Sequence, residues 1–225
     1  MWRSLAVAIL TAATSAHAGE DGAARFLALG DSYTIGEGVA TAERWPEQLA
    51  QTLRKTGIAI GAPEIVARTG WTTDELSSAM DAHTFHPPYA LVTLLIGVNN
   101  QYRGRDLDNY HAEFRALLER AIALAGGAAQ HVVVVSIPDW GVTRFGRASG
   151  RDVAQIAHEI DLYNAANAQI AKMLHVRYAD VTAASRDGGE RPEALVGDGL
   201  HPSAAMYARW VETILPAARA LLSSH

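Results

Sequence analysis

Short apolar runs alternate with longer amphipathic stretches along this chain. The runs fall at residues 26–29, 64–67, 90–96 and 131–137, with a weaker one at 175–178. The third and fourth are nearly continuous in Val, Ile and Leu, the composition of strands buried on both faces of a parallel sheet. Between the runs the period changes. Over 106–125 the apolar positions Leu107, Tyr110, Phe114, Leu117, Leu118 and Ala121 recur every three or four residues and trace one face of a helix. Thr72 followed by Glu75 has the spacing of a capping box and predicts a helix start. Met206, Trp210 and Ile214 repeat by four in a last helix, which Ser203 caps and which Pro216 is expected to kink or end.

Five strands alternating with helices imply a βαβ succession, hence the α/β class and a three-layer α/β/α sandwich around a parallel sheet. The Gly/Ala-rich stretch 125–129 reads as a helix-to-strand connection, so residues 19–225 are expected to form a single domain. Such sheets bind ligands at the carboxyl ends of their strands. The polar clusters that follow the runs are Gly30-Asp31-Ser32, Arg68-Thr69-Gly70, Gly97-Val98-Asn99-Asn100 and Pro138-Asp139-Trp140. A fifth, Asp198-Gly199-Leu200-His201, precedes the last helix and can fold back over the same edge.

Composition narrows the chemistry. The chain has 225 residues, 49% hydrophobic and 19% charged, which fits a folded globular protein and excludes a disordered one. Lys and Arg total 19 against 24 Asp and Glu, a net charge of −5, so no cationic field is available for nucleic acid. There is no cysteine, which excludes thiol catalysis, disulfides and cysteine-ligated metals. Residues 1–18 combine Arg3, a short apolar stretch and an Ala16-His17-Ala18 end, the pattern of a cleavable signal peptide. The expectation is an exported protein, periplasmic or secreted, with no transmembrane anchor, because the apolar stretch is shorter than the roughly 20 residues a span needs.

Ser32 directly follows an apolar run and is flanked by Gly30, Gly36 and Gly38, which permit a tight strand-to-helix turn. It reads either as the N-cap of the next helix or as a nucleophile. A phosphate loop does not fit, since Gly30 and Gly36 are one residue too far apart and no Lys follows. A serine nucleophile needs a base. Of nine histidines, His17 falls in the leader and His225 is terminal; His111 and His158 lie in helical patterns, and His131 and His175 open strands. His83 and His86 sit in a Pro-containing turn, where a metal pair is the alternative. His201 differs in having Asp198 three residues earlier, placed to accept its Nδ1 proton while Nε2 faces the serine.

Gly30-Asp31-Ser32, Gly70, Gly97-x-Asn99 and Asp198-x-x-His201 resemble, in order, the four blocks of the SGNH (GDSL) hydrolase family, over nearly the whole chain from residue 26 to about 207. The resemblance implies a flavodoxin-like fold and a serine esterase with Ser32 as nucleophile, His201 as general base and Asp198 as its orienting partner. It also implies an oxyanion hole from the Ser32 N–H, the Gly70 N–H and the Asn99 side chain, with neither cofactor nor metal. One position departs from the family pattern: Asn100 stands where Asp often follows the third block, so a charged partner becomes a neutral amide.

Tyr33, Trp71, Tyr102 and Trp140 follow strand ends and are expected to wall the cleft, a surface suited to an acyl chain or a sugar face. The aperiodic segment 140–151 reads as a surface loop bordering the site, with Arg144 and Arg147 either solvated or facing an anionic group. The substrate is expected to be a small-molecule, lipid or glycan ester. A carbohydrate O-deacetylase and an acyltransferase use the same machinery. A non-catalytic binding protein would have lost Ser32, Asp198 or His201, and a two-metal phosphoesterase needs more ligands than Asp31, Asp139 and His201.

Overall fold

A computed structural model describes residues 22–222; the leader expected over residues 1–18 lies outside them, as do His17 and His225. Five strands form one sheet: β1 Ala24–Gly30, β2 Ile60–Ala67, β3 Leu91–Leu95, β4 Val132–Val135 and β5 Arg177–Ala179. All pairings are parallel and the order is β2-β1-β3-β4-β5, the flavodoxin-like arrangement. The helices are α1 Ser32–Ile35, α2 Trp45–Lys55, α3 Thr73–Ala82, α4 Val98–Tyr102, α5 Leu107–Leu124, α6 Arg144–Ala148, α7 Val153–Met173, α8 Thr182–Arg186 and α9 Ala204–Leu222. α2 and α9 pack together on one face, and α3, α5 and α7 pack in sequence on the other. Covered on both sides, the central strands bury every side chain: Leu91–Leu95 and Val132–Val135 have no accessible residue.

The local signals explain most boundaries. Asp106 caps α5 by accepting the Asn109 N–H, and the Glu75 carboxylate accepts the Thr72 N–H at 2.9 Å where α3 begins. Three expectations need correction. α9 does not end at Pro216 but runs to Leu222, because the ring removes only the bond toward the Glu212 carbonyl while buried Ala218 and Leu221 hold the last turns on the core. His175 does not open a strand: it adopts φ 58° after α7, and the Val176 N–H returns to the Ala171 carbonyl at 2.8 Å to close the helix. His131 closes a short 3₁₀ turn, Ala129–His131, one residue before β4.

Register positions the chemistry. Gly30 of β1 lies opposite both Ala67 of β2 and Leu95 of β3, so these three strands end level. The loops leaving them start at one height, where the strand order reverses around β1, and converge.

Candidate active site

Ser32 is the first residue of a one-turn helix set directly on the end of β1. The Asp31 Oδ1 accepts the Tyr33 N–H at 3.0 Å as its N-cap, and Gly36 at φ 69° stops it. Gly30 has no room for a side chain, since a Cβ there would lie 2.4 Å from the Leu95 carbonyl oxygen. The turn holds Ser32 almost buried, 5% exposed, at the floor of a cleft.

Residues 195–202 bring the histidine back over that edge. Leu195 and Pro202 form an antiparallel bridge, and the Val196 N–H meets the His201 carbonyl at 2.9 Å. Both oxygens of Asp198 are used: Oδ1 accepts the Leu200 and His201 N–H groups at 2.8 and 3.0 Å, and Oδ2 lies 2.6 Å from His201 Nδ1. His201 Nε2 is 3.0 Å from Ser32 Oγ. Partial burial opposes the charge on Asp198, but the hydrogen bonds from the His201 ring and from those two N–H groups hold its carboxyl below the usual range. Tyr33 packs behind the imidazole, ring centres 5.6 Å apart, and is backed by Trp210 at 5.9 Å.

Asp31 is wholly buried. Burial pushes its carboxyl up to about 7 against the opposing Tyr33 and Asp31 N–H groups, and Oδ2 meets no partner among the described residues. It braces the Ser32 turn and does not face the cleft lining.

Gly70 and Asn99 reach the same cleft from β2 and β3. Asn99 Nδ2 donates to the Trp71 carbonyl at 2.9 Å, which fixes the amide and leaves its second hydrogen available. The Ser32 N–H, at the start of a helix, and the Gly70 N–H have no acceptor among the described residues. The three residues that carry these donors line one cleft. Asn100 points the other way, fully buried: its Oδ1 accepts the Thr73 N–H at 3.1 Å and its Nδ2 donates to Thr73 Oγ1 at 2.7 Å. Because the amide donates, the Thr73 hydroxyl can give its own proton to Glu113. A carboxylate at position 100 would compete with Glu113 for that proton, so here the neutral residue suits its neighbours.

The cleft measures about 210 Å³. Tyr33, Tyr102 and Trp140 line it, but Trp71 does not. After Gly70, at φ 87°, the Trp71 N–H turns back to the Arg68 carbonyl; the side chain packs on the core and only its carbonyl serves Asn99. Thr69, Val98, Phe145 and Leu200 complete the lining. Sequence reading did not single these four out as lining residues, although Thr69, Val98 and Leu200 stand in the strand-end clusters immediately before Gly70, Asn99 and His201, and Phe145 stands in the segment 140–151 expected to border the site.

Segment 140–151 is not an irregular loop. It holds a 3₁₀ turn, Trp140–Val142, and then α6, which Thr143 caps by accepting the Gly146 N–H at 3.0 Å. Gly146 lets α6 sit against the turn, since a Cβ there would lie 2.3 Å from the Trp140 carbonyl oxygen. Arg147 pairs with Glu190 at 2.7 Å, whereas Arg144 lies exposed against Gly199. Asp139 is occupied with Arg186 at 2.9 Å and with the Gly141 N–H. Among the described residues no group of three or more His, Asp or Glu could hold a metal ion, and no helix is long and apolar enough to cross a membrane.

Against known proteins, the model of the GDSL-like lipase/acylhydrolase family matches residues 28–209. The chain is similar in structure to TesA, with 20% identity, 88% of this chain and 99% of that one covered, and a TM-score of 0.69. It is similar to the esterase EstA from Pseudoalteromonas sp., with 16% identity, 89% and 99% covered, and a TM-score of 0.67. An acetyl xylan esterase from Geobacillus stearothermophilus aligns with 22% identity, 91% and 97% covered, and a TM-score of 0.66. No curated protein sequence matches it. Likeness at such identities establishes the shared fold, while the family match runs through all four blocks from Ser32 to His201. The chain therefore belongs to the GDSL-like lipase/acylhydrolase family and is an ester-hydrolysing enzyme.

Proposed function

We propose that this protein is a serine esterase acting on carboxylic esters with a small acyl group. The carrying observation is the chain of contacts Asp198–His201–Ser32, at 2.6 and 3.0 Å, ending in a cleft that Gly70 and Asn99 also line. In this reading Ser32 Oγ attacks the carbonyl carbon and gives its proton to His201 Nε2. The negative charge that develops on the carbonyl oxygen is met by the Ser32 and Gly70 N–H groups and the Asn99 amide. Collapse expels the alcohol, which takes the proton back from His201. Water then attacks the acyl-serine with His201 again as base, and the carboxylic acid leaves. Asp198 keeps the imidazole in one tautomer and offsets its transient charge.

A cleft of about 210 Å³ is below the roughly 300 Å³ at which pockets hold drug-sized ligands, and buried Trp140 is among its lining residues. That favours acetyl to butyryl groups over long chains. The same size, with an aromatic rim, also supports an acetylated sugar as the ester, the reading nearest to the acetyl xylan esterase that shares the fold. The leader pattern of residues 1–18 supports export.

Hydrolysis of p-nitrophenyl esters from acetate to palmitate, by the wild type and by Ser32→Ala, tests the reading. The expected result is a maximum at short chains and a fall in kcat of about 10⁴-fold or more in the variant. Equal rates in both proteins would remove Ser32 as nucleophile.

A further inference from the structure

The aromatic wall of the cleft is held by a network that the ester chemistry leaves unused. Tyr102 and Trp140 meet edge to face, ring centres 5.4 Å apart. The Arg151 guanidinium carbon sits 5.6 Å from the Tyr102 ring centre and 5.3 Å from that of Trp140. Its Nη1 donates to the Tyr102 carbonyl at 3.1 Å, and its Nη2 lies 3.6 Å from Glu159. Glu159 also accepts from Gln101 Nε2 at 2.6 Å, and Gln101 Oε1 accepts the Trp140 indole N–H at 2.7 Å. The circuit closes on itself: Trp140, Gln101, Glu159, Arg151 and back to both rings. A hydrogen bond from Gln155, joined by those from Gln101 and the nearby Arg151 charge, holds the Glu159 carboxyl below its usual range and keeps it an anionic anchor.

The two rings depend on this circuit unequally. Trp140 is buried and would stay in place on packing alone. Tyr102 is 47% exposed at the mouth of the cleft, with Phe145 as its other aromatic neighbour at 6.4 Å. Without the guanidinium against its face, its ring gains rotamers that open the rim.

We propose that Arg151 is a specificity-determining positioning residue, which pins the Tyr102 rim against Trp140 and so favours short acyl groups over long ones. This deepens the esterase reading and rests on the cleft being the acyl site. The planar, forked guanidinium is required, because an ammonium cannot stack on two rings while bonding a carbonyl and a carboxylate.

The test compares kcat/KM for p-nitrophenyl acetate and octanoate in the wild type, Arg151→Met and Arg151→Lys. Arg151→Met is expected to lower the acetate-to-octanoate ratio by about three- to tenfold, the size of one part-exposed cation–π contact, with the change carried by KM. Arg151→Lys is expected to restore less than half of that change. An unaltered ratio, or a fall in kcat of the same size at both chain lengths, would overturn the proposal. Ser32→Ala assayed alongside separates the two failures, since persisting hydrolysis there refutes the nucleophile and says nothing in favour of the clamp.

Discussion

Two histidines among the described residues stand 2.6 Å from a carboxylate, at opposite edges of the sheet. α3 starts just after Gly70 at the carboxyl edge and runs back along the sheet, so its C-cap His83 lies at the amino side, beside Glu64 of β2. There the ring packs at a tilt against Phe85, ring centres 4.6 Å apart, and the other Glu64 oxygen accepts the Tyr89 hydroxyl at 2.6 Å. Burial, helped by that bond, pushes the Tyr89 phenol up to about 12, so it stays a donor. The His83 side chain is 35% exposed, against 10% for His201. At the carboxyl edge the second ring nitrogen faces a serine hydroxyl in a cleft, whereas His83 has no such third partner. A carboxylate orients an imidazole in both places. In the proposed mechanism only the shielded nitrogen, aimed at a hydroxyl, turns orientation into proton transfer.

The sharpest way to break the comparison is to delete each ring in turn. His201→Ala is expected to lower kcat for a short-chain ester by about 10⁴–10⁶-fold, while His83→Ala stays within about twofold. Steady-state assays on both variants decide it, and a comparable loss in His83→Ala would end the distinction drawn here. The next effect concerns the donors that only the carboxyl edge has. Asn99→Ala is expected to cost about 10²–10³ in kcat with KM little changed, because the lost contact forms with the transition state. A change confined to KM would instead assign Asn99 to ground-state binding.

A smaller effect separates bracing from chemistry beneath Ser32. The folded protein raises the Asp31 carboxyl from 3.8 to about 7, so the native state holds this proton more tightly than the unfolded chain does. The contribution of Asp31 to stability therefore falls as pH rises from about 4 to about 7, and the deficit is complete above that window. Asp31→Asn keeps an acceptor for the Tyr33 N–H and removes the charge. Urea unfolding is expected to show it stabilised by about 4 kcal/mol at pH 8 and by little below pH 4. A variant less stable at pH 8 would show that the carboxylate is better solvated than its burial implies.

Much of this protein could be read from spacing. The valine run before Ser136 has the composition of a strand buried on both faces, Thr72 and Glu75 have the spacing that opens a helix, and an Asp three residues before a His in a glycine turn is a short-range geometry. These signals are local: period, cap and turn depend on a few consecutive residues. Ser32, Gly70 and Asn99 were placed at strand ends by the same logic, and the equal ending of β1, β2 and β3 carries them to one cleft. Trp71 and Tyr102 could not be told apart in this way, because both are aromatics just past a strand. Only long-range contacts decide that Trp71 turns onto the core while Tyr102 is left at the rim under Arg151, 49 residues away in the chain. The sequence by itself determined which residues could do the chemistry and on which edge they would lie. The tertiary structure alone decided which side chains face the substrate space, since that choice depends on packing between segments that no local period connects.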